Sequence, residues 1–243
     1  KGFKMEFKLN SSTNTYVTKS KVNSLAEFVE AVDQAEELID DNGLYDVWFR
    51  GHCQQSFKLV PSLLRRTKEY KAGSESDDIT SFIHKARAFV NGGREHGNMW
   101  DWLITAQHHG MATRLLDWTE SALVALYFAI ENKDSLSPCI WLINPYKLNY
   151  ESNKRNVVYY VDDITMDAED KEVLELYKVG SLNLPKSPIA ITPPYIDMRL
   201  KAQKGCFTVH GKNKNSIHNL NQNSERAFLA RIDINKNRIS DIR

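Results

Sequence analysis

The spacing of apolar residues changes near residue 131, and this change limits the folds open to the chain more than any other feature. Before it, apolar side chains recur at intervals of three and four. "SLAEFVEAVDQAEELI" places Leu25, Phe28, Val29, Val32 and Ala35 at helical spacing, and Ser24 with Glu27 three residues on forms a capping box. A helix is predicted from Leu25 to about Gly43. Two more are predicted: Asp78 to Val90, carried by Ile79, Phe82, Ile83, Ala86 and Phe89, and Met99 to His109, closed by Gly110. The charged, turn-rich "RRTKEYKAGSESDD" before them predicts a surface loop. "SALVALYFAIEN" is apolar around most of its circumference and predicts a short helix deep in the core.

Beyond residue 131 the period shortens. "CIWLIN", "NVVYYV", "PIAIT", "CFTVH" and "AFLARIDI" read as strands bounded by Asn, Pro, Gly or Lys, and one earlier strand is predicted at Tyr45 to Arg50. A helix-rich first half and a strand-rich second half predict an α+β fold in a single domain over 1–243. No repeat or Pro- or Ser-rich linker divides it.

Composition narrows the class. With 243 residues, 42% hydrophobic, and only 18 Gly and Pro together, the chain is expected to fold around a substantial core. No apolar run of about 18 residues is present, and the polar start "KGFKMEFKLNSST" has no signal-peptide centre, so a cytoplasmic protein without a membrane partner is expected. Cys53, Cys139 and Cys206 lack CxxC spacing, which predicts reduced thiols and no zinc site. Residues 199–243 hold ten Lys or Arg against three Asp or Glu, in a chain of formal net charge +1. This basic fifth is either a nucleic-acid footprint or a set of solvated loops.

The residues that suggest chemistry lie in three stretches. In "VWFRGHCQQ" a permanent charge, Arg50, ends an apolar run and is followed by Gly51. It either meets an anionic ligand, Gly51 allowing close approach, or forms a buried ion pair with Asp117. "AQHHGMATRLLDWTESALVALYFA" supplies Gln107, His108, Arg114, Asp117, Trp118, Thr119 and Ser121. Arg114 is either a ligand or the salt-bridge partner of Asp117 or another core acid. Thr119 and Ser121 either contact a ligand or cap the next helix, and Trp118 is the stacking candidate. His108 is expected to face the site, while metal binding by the adjacent His108 and His109 has no support from ligand spacing. The third stretch, "RLKAQKGCFTVHG", contributes Gln203, with Lys201, Lys204, Phe207, His210, Lys212 and Lys214 as a candidate RNA-facing surface.

The Phe-Arg-Gly triplet, Pro61, Arg65 or Arg66, and the block Gln-His-x-Gly-x-x-Thr-Arg-Leu-Leu-Asp-Trp-Thr followed by Ala-Leu-Tyr-Phe-Ala resemble the FRG domain family over about residues 25–235, with 1–20 as an N-terminal extension. The order of Arg50-Gly51, the 118–121 segment entering a helix, and Gln203-Lys204-Gly205 is similar to that of ADP-ribosyltransferases of the arginine, serine, glutamate type. That second resemblance implies a mixed-sheet core, NAD+ as substrate, and catalytic roles for Arg50, Asp117, Thr119 and Gln203. It further implies cofactor contacts from Arg50, Gly51, Gln107, His108, Arg114, Trp118 and Ser121. Such enzymes occur among bacterial toxins and phage-defence proteins, so a toxin with an antitoxin or regulatory partner and an RNA, other nucleic-acid or protein acceptor is expected. Where the transferase pattern has its catalytic glutamate, this chain has Gly205, leaving Glu120, Glu225 or Asp117 as replacements. The competing expectation is a nucleic-acid-binding or nucleotide-sensing module without catalysis.

Overall fold

The structure is a computed structural model that describes residues 4–40, 43, 45–66, 72–86, 98–132, 136–161, 164–194, 198–214 and 216–242. The first twenty residues, expected to lie outside the core, supply strands β1 (Phe7–Asn10) and β2 (Thr15–Thr18). Helix α1 (Leu25–Ile39) begins as the capping box predicts: the Ser24 hydroxyl accepts from the Glu27 amide at 3.2 Å, and Glu27 reaches back to the Asn23 amide at 2.8 Å. Strand β3 (Trp48–His52) starts later than expected and continues through the Phe-Arg-Gly triplet.

The charged stretch taken for a surface loop is largely helical. It contains the end of α2 (Ser62–Arg66) and the start of α3 (Ala72–Ala86), while 67–71 lie outside the described residues, as does the expected end of α3 near Val90. Charge density misled the reading because Glu75 turns inward. It shares a face with Ile79 four residues on, both are buried, and Glu75 meets Arg114 in the core. Helix α4 (Met99–His108) is capped by Asn98 and ends at Gly110, whose φ of +82° lets the Met111 amide bond back to the Ala106 carbonyl at 2.9 Å.

Strand β4 (Leu115–Thr119) leads directly into α5 (Ala122–Ile130). This helix is buried on one side only, since Leu123 and Tyr127 are more than half exposed, so its apolar circumference overstated its depth. Strands β5 (Cys139–Ile143), β6 (Tyr159–Tyr160), β7 (Ile189–Thr192), β8 (Gly205–Val209) and β9 (Leu229–Asp233) follow as expected. Between and after them lie helices the sequence reading did not identify: α6 (Pro145–Asn153), α7 (Ala168–Leu176), α8 (Met198–Ala202), α9 (Ser216–Asn223) and α10 (Ile239–Ile242). Their starts rest on local caps such as Asn144 and Asp167 more than on a long apolar stripe.

The described strands form one mixed sheet in the order β1-β2-β9-β5-β3-β4-β8-β7-β6. It consists of two halves. Strand β3 pairs with β5 along all five residues and β4 pairs with β8 along all five, but β3 and β4 meet only at Phe49 and Thr119. One face of the first half packs on α1 and α5 around Phe28, Phe49 and Ile140, and a separate core of the second half packs α3, α4 and α7 around Leu103, Leu115 and Phe207. A third core contains Trp48, Trp118, Trp141 and Phe228, drawing on strands of both halves and tying them together. The opening between β3 and β4 is therefore flanked by packed cores. Among the described residues no helix is long and apolar enough to cross a membrane.

Candidate functional site

A cleft of about 570 Å³ lies where β3 and β4 part. Strand β3 lines it with Arg50, Gly51 and His52, β4 with Asp117, and α4 with Ile104, Gln107 and His108. Arg65 of α2 and Arg199 of α8 also line it, so three arginines border the cleft, while Phe49, Phe128, Phe207 and Leu200 supply apolar wall. The sequence reading singled out Arg50, Asp117, Gln107 and Gln203, and the fold brings all four to this one cleft.

Arg50 bridges the opening. Because β3 and β4 do not continue their ladder beyond Phe49, the Asp117 carbonyl accepts from Arg50 Nη1, while Arg50 Nε donates to His52 Nε2 at 3.0 Å. The Arg50–Asp117 ion pair is longer, 3.6 Å, and the Asp117 side chain is 57% exposed, so the expected buried ion pair is instead a contact at the cleft surface. Burial depresses the Arg50 pKa, with Arg65 adding to that effect and Asp117 opposing it. Arginine remains charged regardless. A cation held against a second cation is a standing repulsion that an anion in the cleft removes.

Asp117 is held by α4. Gln107 Nε2 donates to both carboxylate oxygens at 3.1 Å, and its own carbonyl oxygen accepts from the Thr113 hydroxyl at 2.5 Å. Gln107 thus orients the carboxylate. Among the described lining residues Asp117 is the sole carboxylate. Glu120 lies on a different, acidic depression beside Asp33, Glu36 and Asp46, where burial and then Asp46 raise its pKa, and Glu225 does not line the cleft. Neither replaces the missing glutamate there.

Several expected ligand contacts have other partners. Arg114 is fully buried outside the cleft: Nε pairs with Glu75 at 2.6 Å, Nη1 donates to the His210 carbonyl at 2.9 Å and Nη2 to the Tyr177 carbonyl at 3.0 Å. Ser121 caps α5, accepting from the Val124 amide, and does not line the cleft. Thr119 borders the cleft, but its hydroxyl donates to the Gln203 carbonyl at 2.6 Å and accepts from the Ser121 amide at 3.0 Å, which joins β4 to the segment before β8. Trp118 lines the cleft but is only 3% exposed: its ring sits in the third core and its Nε1 donates to Thr208 at 3.1 Å, which leaves little of the ring open for stacking. Gln203 reaches the cleft from the turn after α8, not from a strand.

Gly51 serves packing more than ligand approach. A Cβ there would lie 2.0 Å from the Ala125 carbonyl oxygen and 2.7 Å from the Ala129 amide nitrogen, both backbone atoms of α5. Gly51→Ala is expected to push α5 off β3 and destabilise the protein by about 1 to 3 kcal/mol, the usual cost of overpacking. Denaturant melts measure this, and an unchanged midpoint would show that α5 yields without cost.

The basic C-terminal stretch does not form one surface. Phe207 and His210 are buried, and Lys201 and Lys204 stand at one end of β8 with Lys212 and Lys214 beyond the other, separated by a strand of roughly 17 Å. Arg231 pairs with Asp233 and Arg238 with Asp241. The three cysteines are free thiols. His52, Arg65, Arg199 and the half-exposed Phe57 were not assigned to the site in the sequence reading. For His52 the signal was available, since it lies two residues from Arg50 on the same strand and shares its face.

The structure is a mixed α/β fold with a cleft, lined by Arg50, Arg65 and Arg199, at a break in its sheet. Residues 45–137, which include β3, α4, β4 and α5, match the family model of the FRG domain. No curated protein and no solved structure matches the chain.

Proposed function

We propose that the cleft binds NAD+ and that the protein is an ADP-ribosyltransferase. The observation that carries this reading is that one cleft is lined by Arg50, Arg65 and Arg199 together with Asp117, the one carboxylate among its described lining residues, beside apolar walls. Guanidinium groups match the oxygens of a pyrophosphate, and the cleft falls within the roughly 300–1,000 Å³ of small-molecule sites. In the reaction the ribose C1′–N bond to nicotinamide breaks, and its electron pair leaves with the ring nitrogen. Asp117 faces the positive charge that develops on the ribose, as carboxylates do in glycoside cleavage. The acceptor's lone pair then forms the new C1′ bond and its proton passes to Asp117 or solvent. Gln107 keeps the carboxylate aimed, and Thr119 holds the strand that carries it.

The acceptor is a nucleic acid or a protein, and Lys201 and Lys204 near Arg199 are the basic residues best placed to meet it. The setting, a cytoplasmic toxin of a bacterial toxin-antitoxin or phage-defence system restrained by an antitoxin, rests on the family resemblance alone. A second reading, nucleotide sensing without turnover, is favoured by Asp117 being the one carboxylate among the described lining residues.

Titration with NAD+ and incubation of labelled NAD+ with cell extract, followed by separate RNase and protease digestion, test both readings. Arg50→Ala is expected to weaken NAD+ binding by about 2 to 4 kcal/mol, with Arg50→Lys rescuing little because it lacks the planar fork. Asp117→Asn is expected to keep binding and lose transfer. Binding without label transfer leaves the sensing module, and no NAD+ binding by the wild type removes both readings in favour of another anion.

A further inference from the structure

An arginine serves an anion only if its free edge is fixed toward it. The guanidinium of Arg50 carries five N–H donors. Nε donates to His52 Nε2 at 3.0 Å and Nη1 to the Asp117 carbonyl, while Nη2 makes no hydrogen bond among the described residues. Two bonds in the plane of a rigid group define its orientation. Both anchors are themselves fixed: β3 is registered on β5 with Arg50 opposite Trp141 and His52 opposite Cys139, and Asp117 lies opposite Phe207 on β8.

We infer that His52 is the positioning residue of the cleft, a neutral imidazole whose Nε2 accepts from Arg50 and turns the Nη2 edge toward the bound anion. The inference rests on the anion-binding reading of the cleft and adds a residue to it. Because Nε2 accepts, the ring proton resides on Nδ1. Protonation of both nitrogens would set two cations against each other at hydrogen-bonding distance, with Arg65 and His218 adding like charge nearby. The surroundings favour the neutral ring: His52 is 7% exposed, with Phe57 edge-on at 6.1 Å between ring centroids. Burial first, then Arg50 and Arg65, push its pKa down to about 3. His52 is thus a support for Arg50 and not a general base, since the nitrogen that would take a proton is already used.

The test has one part that needs no ligand and one that does. In the wild type, nitrogen NMR is expected to show His52 protonated on Nδ1 alone and the Arg50 Nε–H protected from exchange. A proton on Nε2, or an unprotected Nε–H, overturns the inference whatever the cleft binds. His52→Leu is expected to expose the Arg50 Nε–H and to weaken binding of inorganic pyrophosphate and ADP-ribose about 10- to 100-fold, the effect of losing one hydrogen bond to a charged group. His52→Gln, which keeps an acceptor, is expected to restore most of that affinity. In an Arg50→Ala background His52→Leu should change affinity no further, and an equal loss in both backgrounds overturns the inference. If the wild type binds neither probe, the anion reading fails, and the Nε–H signals still decide whether His52 holds Arg50.

Discussion

Arg114→Ala is expected to cost about 3 to 5 kcal/mol of folding free energy, because it leaves the Glu75 carboxylate buried without its partner. The side chains of both residues are at most 1% exposed, so water cannot take over the lost contact. Arg114 also satisfies the carbonyls of His210 and Tyr177, which joins the end of β8 and the end of α7 to the start of β4. Glu75→Gln, which keeps an acceptor but not the charge, is expected to cost less than Glu75→Ala. The double variant Glu75→Ala, Arg114→Ala should cost little more than either single change, since each alone strands the other. Thermal and denaturant melts of the four proteins form the cycle. Additive losses would mean that the pair has no mutual energy and that Arg114 acts through the two carbonyls alone. The nucleotide binding proposed for the cleft should survive at permissive temperature, because neither residue lines it.

Mild acid is expected to unfold the protein steeply, through three histidines. An unfolded histidine takes up its proton near pH 6.5, whereas folded His52 and His210 are held down to about 3 and His218 to about 4, burial being the largest cause in each. Between these values the unfolded state binds more protons. Stability is therefore full above pH 6.5 and is lost as the pH falls toward 4, by about 1.4 kcal/mol per unit for each histidine. Three together give a slope of roughly 4 kcal/mol per pH unit, enough to consume a typical folding free energy within about two to three units. Glu36 and Glu120 act in the opposite sense, since burial raises their pKa and they take up protons first in the folded state. Unfolding free energies at pH 7, 6 and 5 test the slope, and His218→Gln should remove about a third of it. A free energy unchanged from pH 7 to 5 would show that these rings are already charged or solvated when folded.

The sequence carried most of the local structure. Ser24, Asn98 and Ser121 cap their helices because a short side-chain oxygen satisfies an orphan amide, which is a property of neighbours in the chain. The strands of the second half were legible from their β-branched and aromatic runs. Helices α6 and α7 were missed because they rest on caps without a long apolar stripe, and two other failures trace to long-range packing. The start of α3 was misread as loop because its charges were judged against water, while Glu75 is judged by the fold against Arg114. Trp118 and Phe207 were offered to ligands because aromatic rings suit ligands and cores alike, and only packing shows that both are largely buried in cores, each with an edge at the cleft wall.

What the chain determines by itself is thus helices α1, α4 and α5, the strands of the second half, the FRG segment and the presence of a charge, Arg50, at the edge of an apolar strand. What the tertiary structure decides is where that charge lies and what it touches. Strand β3 finds β5 on one side along its full length and meets β4 on the other at a single pair, and this incomplete ladder creates the cleft that Arg50 spans. Pairing partners lie 67 residues apart for Arg50 and Asp117, 39 for Glu75 and Arg114 and 96 for Arg114 and His210. Periodicity and capping act over a few neighbouring residues and cannot register contacts at such separations, so which arginine faces the cleft and which is sealed in the core is settled only when the sheet closes.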